Sequence, residues 1–197
     1  EEWFKRMDHT PAYIETWLKH QNRDSFWKHG SICEDFSEIE CAVFAVGGWA
    51  DPYSNAIPRM LEGLNCPRKG LIGPWAHEYP MRALPGPQIG FLQECLRWWD
   101  YWLKGKDTGI MTEPTLRAWI HESGKPGGVQ KERSGSWVGE NDWPSSNMTS
   151  EHFFLYQNGM SAKAQSDTKK MIHHSPLDAC AETGVWFPMG IDGDFPE

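Results

Sequence analysis

In the stretch CAVFAVGGWADPYSNA at residues 41–56, six apolar residues run without a break into two glycines, a tryptophan and an acid. A short continuous apolar run bounded by turn signals suits a strand buried on both faces of a parallel sheet. The glycines at its end let the chain turn sharply at the sheet edge. Residues 54–64 then carry a helical pattern. Ser54 is placed to cap, Pro58 falls in the first turn where its missing N–H costs little, and Ile57, Met60, Leu61 and Leu64 share a face. A second strand is predicted at residues 69–73, KGLIG, and is closed by PWAHEYP, whose two prolines forbid further regular structure. Strand, helix, strand is a parallel βαβ unit, which sets the class as α/β.

Outward from that unit, Thr10 and Pro11 read as the N-cap and first position of a helix with Tyr13, Ile14, Trp17 and Leu18 on one stripe. Residues 23–32 read as a short helical turn broken at Gly30. The strongest helix is predicted over 89–104. Phe91, Cys95, Trp98 and Trp102 make one row, Leu92, Leu96, Trp99 and Leu103 the adjacent one, and Gly105 is a natural stop. Eight such side chains require a sheet or another domain to cover them, at roughly 1.5–3 kcal/mol of gross gain each. After Pro114 the texture changes to short runs such as TLRAWI (115–120) and EHFFLY (151–156) between Gly, Pro and Ser clusters, which reads as the opening of an all-β region.

An apolar fraction of 39% over 197 residues is that of a globular chain with a real core. The formal charge of -8 comes from scattered acids, which argues against a nucleic-acid or anionic-membrane surface. No apolar stretch approaches the roughly 20 residues of a spanning helix. The five cysteines, Cys33, Cys41, Cys66, Cys95 and Cys180, are odd in number and form no C-x-x-C, so a reducing, cytoplasmic compartment is expected. Because the chain opens on Glu1 and ends on IDGDFPE, it is expected to be part of a longer polypeptide.

Ligands of open α/β sheets gather beyond the carboxyl ends of the strands. Asp51 follows the first strand by a few residues and His77 follows the second in the same way. An acid and an imidazole so placed suit an Asp that orients a His acting as general base. Asp51 before Pro52 is also how a helix start is written, and His77 also reads as an ordinary loop histidine. No G-x-S-x-G pentapeptide occurs in the chain, and SGSWVG around Ser136 has the wrong spacing for a nucleophile elbow. There is no H-E-x-x-H, no paired Cys ligand set and no phosphate-binding glycine loop. His173 and His174 are consecutive, which on a strand points them to opposite faces. Neither a metal nor another cofactor is expected.

GGWADPYSNA and KGLIGPWAH, followed by PGPQIGFLQECLRWWDYWLKGKDTGIM, closely resemble the cocaine esterase and X-prolyl dipeptidyl-peptidase family of α/β-hydrolases, the CocE/NonD hydrolases. The resemblance implies a cap end at residues 1–32, the C-terminal part of the hydrolase domain at 33–113 and an incomplete jelly-roll β-sandwich at 114–197, with GVWFPMG and GDFPE in its interior. It places the family's catalytic acid on Asp51 and its catalytic histidine on His77, with the nucleophilic serine and the oxyanion hole upstream of Glu1. On that basis the isolated chain is inactive. The implied reaction is acyl transfer on a small-molecule ester, amide or short peptide, and homo-oligomerisation is left open. Trp49, Tyr53, Trp75 and Tyr79 flank the two catalytic positions and are candidates for an acyl or aromatic pocket. Two other readings stand beside this one: an inactive member of the family, and a Trp-rich β module that binds carbohydrate, since twelve tryptophans is several times the usual share.

Overall fold

The computed structural model describes residues 1–124, 130–156, 159–164, 170, 172 and 174–176. Cys180, His173, GVWFPMG and GDFPE lie outside the described residues.

Its centre is a mixed four-stranded sheet of β1 (Val43–Gly48), β2 (Arg68–Gly73), β3 (Leu116–His121) and β4 (Gly135–Glu140), in that spatial order. β1, β2 and β3 are parallel, and β4 returns antiparallel to β3. The register of the first pair decides the site. Val43 lies opposite Arg68 and Gly48 opposite Gly73, so both strands end level and release their following loops at one edge.

Between them runs α4 (Ala56–Gly63), preceded in the chain by α1 (Glu2–His9), α2 (Tyr13–Lys19) and α3 (Ser25–His29). Ile57 and Leu61 of α4 pack on Ala45, Ile72, Leu116 and Ala118, making one face of the sheet dry. The other face carries Leu71, Trp75 and Ala83 with Phe44, Val46 and Ile89 against them. Alternation along β1 sends Ala45 to one layer and Phe44 and Val46 to the other, which is why the strand reads as one unbroken apolar run. Leu61 is fully buried at the middle of the first layer. Leu61→Ala is therefore expected to lower unfolding stability by about 2–5 kcal/mol, read from the midpoint shift of a urea titration.

Several local expectations shift. Thr10 caps no helix start: it sits at the C-terminal end of α1, its hydroxyl donates to the Arg6 carbonyl at 2.6 Å, and α2 begins only at Tyr13. A threonine hydroxyl can serve either end of a helix, and a preceding helix claims this one. α4 starts at Ala56 because Ser54 is held in a turn, its N–H bonded to the Asp51 carbonyl at 3.2 Å. β1 begins at Val43, leaving Cys41 exposed ahead of the strand. TLRAWI supplies β3, which joins the same sheet as a parallel neighbour of β2, with Leu116 and Ala118 in the apolar layer formed by α4. EHFFLY forms β5 (Phe154–Tyr156), which pairs with β6 (Gly159–Ser161) in a two-stranded hairpin.

The long helix α5 (Phe91–Lys104) stops at Gly105, whose φ of 64° is the left-handed conformation that glycine adopts without a Cβ penalty. Of its eight apolar residues only Trp98 is buried, stacked on Phe44 at 5.4 Å between ring centroids. The second row, Leu92, Leu96, Trp99 and Leu103, is exposed among the described residues, so of the two rows expected to need cover from a sheet or another domain, this sheet meets only the first. The helix is tied to β3 by charge instead. Glu94 pairs with Arg97 at 3.2 Å and with Arg117 at 2.5 Å, while Glu113 pairs with Arg97 and, at 3.1 Å, with Arg117. No helix among the described residues is long and apolar enough to cross a membrane.

Candidate active site

The two loops that leave the sheet edge are laced together by backbone. The Trp49 N–H donates to the Gly73 carbonyl at 2.9 Å and the Ala50 N–H to the Trp75 carbonyl at 3.1 Å. This lacing needs the glycine at 48. A Cβ built there would overlap the Trp75 carbonyl oxygen and stand 2.6 Å from the carbonyl carbon. Trp75 is itself immobilised, 1% exposed, with its indole N–H donating to the Pro87 carbonyl at 2.9 Å. Glycine at the end of β1 thus serves a close approach of two loops rather than only a turn.

The lacing brings Asp51 and His77 together. His77 Nδ1 and Asp51 Oδ2 are 2.7 Å apart. The other carboxylate oxygen, Oδ1, accepts the Tyr53 N–H at 2.7 Å. Asp51 is therefore no cap of α4. Its carboxylate closes an Asx turn over Pro52 with one oxygen and faces the imidazole with the other. A carboxylate at Nδ1 fixes the tautomer with the proton on that nitrogen, which makes Nε2 the basic nitrogen of the neutral ring. The Asp51 side chain is 14% exposed and the His77 side chain 46%, so the acid is sheltered and the base faces outward.

Both residues line a cavity of about 390 Å³, with walls of Val46, Gly48, Trp75, Tyr79, Pro80 and Phe91. The four flanking aromatics divide on this geometry. Tyr79 is a wall of the cavity and stacks on Phe91 at 6.3 Å. Tyr53 stands edge-on to the His77 ring at 5.9 Å and is 68% exposed. Trp75 borders the cavity from within the core. Trp49 turns away toward β3, its indole N–H donating to the Trp119 carbonyl at 2.7 Å, and is not among the cavity's lining residues.

Glu78, which sequence reading passes over, also lines the cavity. Its Oε1 accepts the Tyr79 N–H at 2.8 Å and pairs with Arg82 at 3.0 Å. The Tyr79 N–H, helped by the Arg82 guanidinium and the neighbouring His77, holds this carboxyl below the usual carboxylate range. Phe91 reads in sequence only as part of the helix row, yet as the first residue of α5 it reaches the site. Adjacency to His77 in AHEY is the sequence signal for Glu78. Phe91 has none, since it lies twelve positions beyond Tyr79 in the chain.

Residues 1–79 match the family described as X-Pro dipeptidyl-peptidase (S15 family). A stretch of 89 residues is 34% identical to the Mycobacterium bovis protein named "Putative serine esterase Mb1866c", covering 42% of this chain and 14% of that protein. Its Mycobacterium tuberculosis namesake, MT1883, matches to the same extent. The chain thus spans a small part of the length of these relatives. In fold it is similar to the CocE/NonD family hydrolase SACOL2612 of Staphylococcus aureus, with a TM-score of 0.53 and 13% identity over 75% of this chain and 25% of that one.

Proposed function

We propose, from the premise that residues 1–79 belong to the X-Pro dipeptidyl-peptidase (S15) family of hydrolases, that this chain supplies the base and the orienting acid of a Ser-His-Asp acyl-hydrolase. The observation that carries the reading is the 2.7 Å contact of His77 with Asp51 at the level ends of adjacent parallel strands. Both residues fall inside the matched segment. In the reaction a serine attacks an ester or amide carbonyl while His77 Nε2 takes its proton and then delivers it to the leaving group. Asp51 holds the imidazolium through Nδ1–H, and water releases the acid by the same sequence in reverse roles. No G-x-S-x-G occurs in the 197 residues, so the nucleophile is assigned to polypeptide outside them. Substrates are esters or amides with an acyl, aminoacyl or dipeptidyl group small enough for a cavity walled by Tyr79, Phe91 and Trp75.

The domain division belongs to the same reading. Residues 1–32 are the end of a helical cap. Residues 33–113 are the C-terminal part of the hydrolase domain, and 114–197 the start of a jelly roll whose first strands, β3 and β4, hydrogen-bond into the mixed sheet.

The full-length protein is expected to be labelled by a fluorophosphonate probe, and His77→Ala to abolish labelling. Undiminished labelling of that variant removes His77 from the role of base. The 197-residue chain alone is expected not to label; stoichiometric labelling of one of its serines would show that it contains the nucleophile.

A further inference from the structure

Trp49 lies two positions before Asp51, is 41% exposed and, among the described residues, belongs to neither apolar layer of the sheet. Burial does not account for it. Its two N–H groups tie the loop after β1 to two different strands. The backbone N–H takes the Gly73 carbonyl at the end of β2, while the indole N–H reaches beyond β2 to the Trp119 carbonyl of β3 at 2.7 Å. The pairing of β2 with β3 runs from Gly70 and Leu116 to Ile72 and Ala118, so the Trp119 carbonyl stands one residue past the ladder and is taken by this side chain instead.

The loop that carries the base is fastened to the same residue. The Trp119 indole N–H donates to the Arg133 carbonyl at 3.2 Å. The Arg133 N–H donates to the Gly86 carbonyl at 3.0 Å, and the Gly86 N–H returns to the Lys131 carbonyl at 2.7 Å. Beside Gly86, the Pro87 carbonyl holds the Trp75 indole, and the Leu84 carbonyl accepts the N–H of Ala76, the residue before His77, at 2.8 Å. Trp119 thus fixes the acid's loop through its carbonyl and the base's loop through its indole, and the contact of Asp51 with His77 is closed between them.

Resting on the acyl-hydrolase reading above, we infer that Trp49 is a positioning residue: its indole N–H, anchored on the Trp119 carbonyl, holds the Asp51 carboxylate against His77 Nδ1. It acts through Asp51 and touches no reacting atom. The Asp51 N–H donates to the Gly48 carbonyl at 3.1 Å, which closes a tight turn around Trp49, so a shift of the indole is passed to Asp51 with little slack. A misplacement of about 1 Å in a catalytic set can cost about a hundredfold in rate.

The test uses the full-length protein in two variants: Trp49→Phe, and Trp49 replaced by benzothienylalanine, whose sulfur keeps the bicyclic shape and removes the N–H donor. Each is measured by steady-state hydrolysis of a 4-nitrophenyl ester, by a urea titration, and by the downfield proton resonance of the His77 Nδ1–H, identified by its loss in His77→Ala. Both variants are expected to lower kcat about tenfold or more with KM little changed, and to shift or broaden that resonance. The benzothienylalanine protein is expected to unfold near the wild-type midpoint, and it decides the matter should Trp49→Phe fail to fold. Wild-type kcat in that protein shows that the shape of the ring suffices and overturns the inference. A kcat that falls only in step with the folded fraction, with the resonance in place, also overturns it. In both cases an inactive His77→Ala protein leaves the catalytic reading intact. Ester hydrolysis that survives His77→Ala overturns that reading and this inference with it.

Discussion

Asp51→Asn in the full-length protein is expected to lower kcat by roughly 10³–10⁴-fold with little change in folding stability. The substitution is nearly isosteric, and an asparagine carbonyl can still close the turn that Asp51 makes with the Tyr53 N–H. What changes is the face toward His77. A carboxylate can only accept from Nδ1–H, whereas an amide can present its NH₂ there and hold the ring in the opposite tautomer, with Nε2 protonated and unable to take a proton from a serine. The amide also withdraws the negative charge that stabilises the imidazolium. The pair of measurements is steady-state hydrolysis of a 4-nitrophenyl ester and a urea titration of the same preparation. A loss of activity smaller than about tenfold, with stability preserved, would remove Asp51 from the catalytic set and leave it as a turn residue.

Gly48→Ala is expected to destabilise the protein by about 3 kcal/mol or more, or to prevent folding. The added methyl would run into backbone, the Trp75 carbonyl, and neither side can retreat. The Trp75 carbonyl is accepting from Ala50, and the Trp75 indole is fixed to Pro87. Relief requires parting the two loops that hold Asp51 and His77 in contact. Any folded Gly48→Ala protein should consequently lose fluorophosphonate labelling. Gly47 supplies the comparison: a Cβ there would meet Cγ1 of the Ile57 side chain at 2.9 Å and its Cδ1 at 3.2 Å, side-chain atoms rather than backbone. Gly47→Ala is expected to be the milder change, and equal stability losses in the two variants would contradict the importance of the laced loops.

Much of this arrangement was legible in the order of residues. The run at 41–46 announced a strand buried on both faces because Ala45 and Phe44 do go to opposite apolar layers. Two strand ends, each followed a few residues later by an ionisable side chain, place Asp51 and His77 at one edge. Other features resisted because their causes are not local. TLRAWI reads as a β strand in either context, and pairing with β2 rather than with a new sheet is a choice made by the available edge. The two apolar rows of α5 look alike in sequence, yet only Trp98 finds a buried place, because this sheet offers α5 contact along one row.

By itself the sequence determined the α/β class, the βαβ unit and the pair Asp51 and His77, because periodicity, glycine placement and strand-end position are properties of a few consecutive residues. Only the tertiary structure decided that one carboxylate serves both a turn and the imidazole, that Gly48 is required by a carbonyl 27 residues away in the chain, and that Glu78 and Phe91 share the cavity while Trp49 leaves it. Those facts depend on which segments meet across the sheet edge, and contact between distant segments is set by packing and register rather than by local preference.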